Sequence, residues 1–320
     1  MYWLTEFETV FKTLMSDCDR IYLNTNEHLR ANIEVETRDA RFIKWCREKY
    51  PLHKYERAAP IMHQLRAIKS DIELDLIKKA VNITEKGFKR ILGFIKPGVM
   101  EYEIEAELSH EFLRNRSAGF AYTPIVASGS NACVLHYIDN NKKCRDGEII
   151  LMDFGAEYGN YTSDMTRCVP VNGKFTKRQK DVYNAVLRVM RGAVKMLVPG
   201  TYLKNYHKNV GKLMEAELIK LGLLKADKVK KQNKEKPLYK KYFMHGTSHF
   251  LGLDVHDVGL WTKPIKAGMV FTCEPGIYIK KENLGIRLEN DILVTKNGPV
   301  DLMANIPVEA EEIEELMARR

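Results

Sequence analysis

The chain has 320 residues, 45% of them hydrophobic and 29% charged, with a formal net charge of +9. Such a composition supplies core for one large or two modest domains and excludes a disordered polar chain or a disulfide-dense miniature fold. No window nears the roughly 20 apolar residues of a membrane span and no basic leader precedes an apolar stretch, so no membrane partner and a cytoplasmic location are expected.

In chain order, residues 1–65 read as a partial α/β segment. "FETVFKTLMSDCDRIYLNTNE" has the pattern of a helix followed by a strand, and "TRDARFIKWCREKYP" that of a second helix, too little for a good core alone. The boundary is placed at 65/66, with residues 66–320 as one larger domain. From Asp71, "DIELDLIKKAVNITEKGFKRILGFI" carries apolar residues at three-and-four spacing until Pro97-Gly98, and "MEYEIEAELSHEFLRN" continues as a second helix. Strand-like "AYTPIVASG" and "ACVLHYI" come next, then a turn at "DNNKKCRDG".

Residues 150–167, "ILMDFGAEYGNYTSDMTR", form a hairpin with an acid on each arm. A turn about Tyr158-Gly159 would set Asp153 directly opposite Asp164, with Cβ atoms about 4.5–5.5 Å apart. Like charges at that distance need a proton or a cation between them. The alternative is a turn elsewhere with both acids solvated. The buried-strand run "EIIL" ahead of Asp153 argues for an acid that emerges from a core.

The following stretch repeats this order. Helix "KRQKDVYNAVLRVMRGAVKML", a stop at Pro199-Gly200 and helix "LKNYHKNVGKLMEAELIKLG" lead through a lysine-rich run to "FMHGTSHFLGLDVHD", which reads as a histidine-bearing strand. Then "MVFTCEPGIYIKKENLGIRLEND" forms a second hairpin, turning near "KKENLG" and returning from Glu274 to Glu289. Asp153 follows Gly147 by six residues, as Glu274 follows Gly268. The repeat predicts two half-domains about a pseudo-twofold axis, with four carboxylates at the centre.

Four carboxylates around one point are untenable without metal. With it they supply the hard oxygen ligands that suit manganese, and an imidazole also accommodates zinc or cobalt. His245, His249 and His256 are the nearest imidazoles, beside Gly246 and Gly252. The lysine-rich run, Lys225 to Lys241, holds eight lysines and two acids. It lacks arginine and regular aromatic interleaving, so it reads as a solvated insertion and no nucleic-acid partner is expected. The six cysteines are scattered with no C-x-x-C pair, and free thiols are expected.

"LMDFGAEYGNYTSDMTR", "HGTSHFLGLDVHD", "TCEPGIY" and "GIRLENDILVT" resemble the pita-bread metallopeptidases, over roughly residues 60–315. Within that family "VLHY", "GLDVHDVG" and "RLENDILVT" are most similar to the aminopeptidase P and prolidase branch. The resemblance implies an α+β pita-bread fold and two divalent ions, manganese first, with zinc or cobalt as alternatives. It implies Asp153, Asp164, His249, Glu274 and Glu289 as ligands, Asp164 and Glu289 bridging. The implied reaction is release of the residue before a proline in second position, by a hydroxide held between ions about 3.5–4 Å apart. Glu274 would shuttle protons, His136, His245 and His256 would face the peptide substrate, and Arg287 would orient the acids. A homo-oligomer, dimer or tetramer, is implied too. The competing readings are a dipeptidase for X-Pro and a pita-bread protein that binds without catalysis.

Overall fold

The computed structural model describes residues 2–25, 27 and 34–319. They fall into two compact units, Met1–Arg66 and Ala67–Arg320. The first carries helix α1 (Phe7–Ser16), strand β1 (Arg20–Leu23), helix α2 (Arg38–Lys49), strand β2 (Lys54–Arg57) and helix α3, Ala59–Ala67, at its end. β1 and β2 pair in parallel. Phe7 and Phe11 of α1 pack on Phe42 and Trp45 of α2, with ring centroids 5.6–6.3 Å apart. Asn26, at the end of the predicted helix–strand stretch, lies outside the described residues.

In the second unit, helices α4 (Asp71–Phe94) and α5 (Glu101–Arg114) precede strands β3 (Gly119–Phe120) and β4 (Ile125–Ser128). The first acid-bearing hairpin is β5 (Ile149–Phe154), β6 (Ala156–Tyr158), β7 (Tyr161–Thr162) and β8 (Met165–Pro170). Helices α6 (Lys177–Val194), α7 (Leu203–Lys220) and the short α8 (Ala226–Lys230) follow. The second hairpin is β9 (Val270–Cys273), β10 (Gly276–Ile279), β11 (Leu284–Arg287) and β12 (Asn290–Thr295), then β13 (Gly298–Asp301) and helix α9 (Ala310–Ala318). This is the pita-bread fold, two helix-pair-and-hairpin halves with the hairpins at the centre.

The helices start where the sequence caps them. Ser70 accepts from the amide of Glu73 while the Glu73 carboxylate reaches back to Ser70, and Thr176 with Gln179 does the same for α6. α4 buries Ile77, Val81, Phe88 and Ile91, the three-and-four stripe. Each hairpin has a base ladder, β5 with β8 and β9 with β12, and a tip ladder, β6 with β7 and β10 with β11. β4 flanks β5, and β13 flanks β12.

The register of the first hairpin corrects the expected one. Tyr158 pairs with Tyr161, so the turn is Gly159-Asn160, and Asp153 faces Thr166 rather than Asp164. A two-residue turn of this hand needs both central residues at positive φ, and Gly159 (59°) and Asn160 (67°) supply it. Tyr158 would pay a steric cost there. Two further expectations are corrected. "ACVLHYI" is not a strand: residues 129–133 form a 3-10 turn and 134–142 an irregular loop. The segment is pinned instead by the buried Glu101, whose carboxylate accepts from Ser128 N before it, from its own Tyr137 Oη and from Lys142 N after it. The histidine segment likewise forms no named strand, although Thr272 N and Glu274 N donate to His249 O and Thr247 O, which holds it alongside β9.

Candidate metal centre

Three of the acids sit where the ladders break. Asp164 lies between β7 and β8, Glu274 between β9 and β10, and Glu289 between β11 and β12. Released from strict alternation, a side chain at such a break can be aimed along the seam between the halves. On the outbound arm the break is Gly155, where a Cβ would stand 1.8 Å from Ser163 O. Only glycine lets the return arm come so close. Asp164 is then held from the other half, its amide donating to Asp291 Oδ2 at 3.1 Å. Glu289 N donates to Thr166 O, and the Thr166 hydroxyl donates to Glu289 Oε2 at 2.6 Å.

Asp164, His249 and Glu289 each offer a ligand atom, all within 4.8 Å of one another and all buried. His249 Nδ1 is 2.9 Å from Phe250 O, an acceptor, so Nδ1 carries a proton and Nε2 faces Asp164 Oδ2 at 3.4 Å and Glu274 Oε1 at 3.7 Å. Glu274 Oε2 lies 3.4 Å from His245 Nδ1. Asp153 turns to Arg287 Nη2, 2.5 Å away, and Arg287 also donates to Thr166 Oγ1 and Tyr278 Oη, each at 3.0 Å. The Tyr122 hydroxyl stands 2.6 Å from Oδ1 of both Asp153 and Asp164. It has one proton to donate, so one of these two contacts requires a protonated carboxyl or a cation beside the pair.

The electrostatics are those of a crowded anionic site. Burial raises Asp153 to about 6, against the pull of Arg287 and with the help of Asp164. Burial, then Asp164, Glu274 and Asp153, push Glu289 well above the usual carboxylate range. Burial also opposes ionisation of Glu274, but the His245 hydrogen bond and the charges of His245, His249 and Arg287 outweigh it and hold it at about 2. For His249 burial favours the neutral ring, and Asp164 and Glu274 overcome that and raise it. Buried carboxylates that keep protons or borrow them from imidazole fit a site completed by divalent cations. The donor set of carboxylate oxygens with one imidazole has the chemistry for it.

Of the remaining residues singled out in the sequence, His256 packs its ring on His249, centroids 4.4 Å apart. His245 Nε2 is 2.8 Å from Tyr278 Oη. His136 is exposed, and among the described residues no hydrogen bond or ion pair holds it. Four residues in the site were not singled out in the sequence: Tyr122, Thr166, Asp291 and His207. Tyr122 and Thr166 reach the acids through long-range packing. Asp291, two residues past Glu289, could have been found from strand periodicity. His207, one turn into α7, accepts the Thr247 amide at 3.3 Å through Nδ1.

Residues 75–296 match the family model described as metallopeptidase family M24. The chain is 37% identical over 320 residues to Xaa-Pro aminopeptidase of Escherichia coli (strain K12), covering 95% of this chain and 71% of that one. It is 35% identical over 331 residues to Xaa-Pro aminopeptidase of Haemophilus influenzae, covering 99% and 74%. The solved aminopeptidase P from E. coli, low pH form, superposes with a TM-score of 0.87 at 34% identity, over 98% of this chain and 74% of that one. Proline aminopeptidase P II from Yersinia pestis gives 0.85 at 33%, over 99% and 75%. With the same fold, a buried metal-ligand cluster at its centre and a family match across most of its length, the chain belongs to metallopeptidase family M24.

Proposed function

We propose that this chain is a metal-dependent Xaa-Pro aminopeptidase, releasing the N-terminal residue from peptides with proline in second position. The observation that carries this reading is the buried Asp164, His249 and Glu289 cluster, flanked by Asp153 and Glu274, in a chain whose relatives are named for that activity. Asp153, Asp164, His249, Glu274 and Glu289 would hold two divalent ions. Manganese is the first choice of metal and zinc or cobalt the alternatives; one E. coli aminopeptidase P structure is described as Zn substituted. When bound, such a pair lowers the pKa of water and draws charge from the scissile carbonyl.

The chain's own groups do the rest. Glu274, ionised and beside His245, takes the proton of the attacking water and passes it to the departing proline nitrogen, which cannot leave as an anion. His256, against the His249 ring, and His136 donate to the substrate carbonyl as its oxygen gains charge. His245, fixed by Tyr278, lines the substrate pocket. Arg287 holds Asp153 so that its carboxylate stays oriented while protons come and go. Catalysis is assigned to residues 66–320, with 1–65 as a partial α/β segment, in a cytoplasmic homo-oligomer, dimer or tetramer.

The test is hydrolysis of an X-Pro-Y tripeptide, its X-Ala-Y counterpart and an X-Pro dipeptide by manganese-loaded protein. Cleavage confined to X-Pro-Y is expected. A preference for the dipeptide moves the assignment to prolidase, and cleavage of none of them refutes a proline-specific peptidase.

A further inference from the structure

A groove of about 570 Å³ beside α7 is lined by Lys208, Lys212, Lys234 and Lys240, with Glu215 and Glu235. Lys204, Lys208 and Lys212 recur every four residues and so share one face of the helix. The 3-10 turn Leu238–Lys241 is seated on α7 because Gly211 leaves room for the Tyr239 ring, which a Cβ would meet at 2.6 Å. That brings Lys240 to the same groove. Among the described residues none of the four lysines is ion-paired with a carboxylate; Lys212 reaches only Asn209 Oδ1 at 3.4 Å. Glu215 is engaged instead by the Gln232 amide. Four lysines against two carboxylates leave the groove with a net positive charge.

It also adjoins the catalytic arm. His207, the residue before Lys208, accepts the Thr247 amide, and Thr247 O accepts the amide of Glu274 at 2.8 Å. Lys240 and Glu274 act on the His207 ring with opposite sign. Behind the same loop Tyr278 N donates to Tyr242 O, one residue past the lysine turn.

We propose that this groove receives the acidic downstream end of longer peptide substrates. The inference rests on the aminopeptidase reading and adds to it a preference among peptides. The anionic centre suits the substrate's N-terminal ammonium and repels negative charge close to it. An extended chain advances about 3.3–3.6 Å per residue, so residues a few places past the proline leave the acids and come under the lysines. Exposed pairs of this kind act within a Debye length of about 8 Å at physiological salt, which makes the effect one of binding and sensitive to ionic strength. A nucleic acid is the lesser match, because the lysine run has neither arginine nor regular aromatic interleaving.

The experiment uses the full, metal-loaded chain and X-Pro peptides ending in Asp-Asp, Ser-Ser or Lys-Lys at increasing distance from the proline, with the X-Pro-Gly tripeptide as reference. At low salt the acidic peptides should show a KM about two- to fivefold below the neutral ones, with kcat unchanged, and the gap should close at high salt. Lys208→Ser/Lys212→Ser/Lys234→Ser should erase the gap and leave the tripeptide's kinetics as they were. Cleavage of the tripeptide with equal KM for all tails overturns the inference and leaves the activity standing. If the tripeptide is not cleaved, the activity is what fails, and fluorescence anisotropy of the labelled acidic peptide still decides whether the lysines bind it. Anisotropy showing lysine-dependent binding of a single-stranded RNA, with no discrimination among peptide tails, overturns it in favour of nucleic acid.

Discussion

Asp164 is held by its amide from one half of the fold and presents its carboxylate to groups of both halves. Asp164→Ala should abolish metal binding and activity, measured by calorimetric titration with manganese and by X-Pro-Y hydrolysis; full activity would sink the ligand assignment. His256→Ala should leave metal affinity in place and lower kcat, which separates a substrate contact from a ligand. Thr166→Val removes the hydroxyl that donates to Glu289 and accepts from Arg287, and a loss of about 10–100-fold in metal affinity is expected. The acids also set a pH dependence. Asp153, at about 6, and Glu289, higher still, bind protons more tightly folded than unfolded. Their contribution to the metal-free protein is therefore fully present below the unfolded carboxylate range and is lost as pH rises through the folded values. The melting temperature of chelator-stripped protein should fall from pH 5 to pH 8 relative to the manganese form, with manganese binding tighter at higher pH; a gap that narrows with rising pH would contradict the electrostatics described.

At the scale of elements, the site depends on ladders that stop and resume. Gly155→Ala would drive a Cβ into Ser163 O, and the return arm would have to shift with Asp164 on it. A destabilisation of about 1–3 kcal/mol is expected by denaturant titration, with a loss of metal affinity larger than a surface substitution would cause. The helices of this unit were legible because their signals are local: Ser70 with Glu73, Thr176 with Gln179, and the Pro-Gly stops at 97 and 199. The hairpin register was misread by one turn position, although the need for positive φ at both central residues already favoured Gly159-Asn160 over Tyr158-Gly159. The loop carrying His136 reads as a strand because it is a short, mostly apolar run, yet it forms no ladder and is held to Glu101 through the Tyr137 hydroxyl and the Lys142 amide. Side chains that reach in from distant segments, such as Tyr122, leave no periodic trace.

For the whole molecule, the repeat explains why one centre needs both halves. The seam is closed by Arg167, fully buried, which donates to Glu289 O, Asn290 Oδ1 and Pro307 O, so the return arms of the two hairpins are tied together behind Glu289. Ions bound at that seam stabilise the folded state by mass action, about 2.7 kcal/mol at a hundredfold excess over Kd. In the proposed mechanism five side chains from both halves hold two ions on which hydrolysis depends. The most direct measurement is manganese titration of chelator-stripped protein, with bound metal per chain and X-Pro-Y hydrolysis followed together. No activity is expected without metal, and activity should rise as the chain fills to two ions. Full hydrolysis by the stripped protein, or metal bound elsewhere with Asp164→Ala titrating like the unmodified chain, would contradict it.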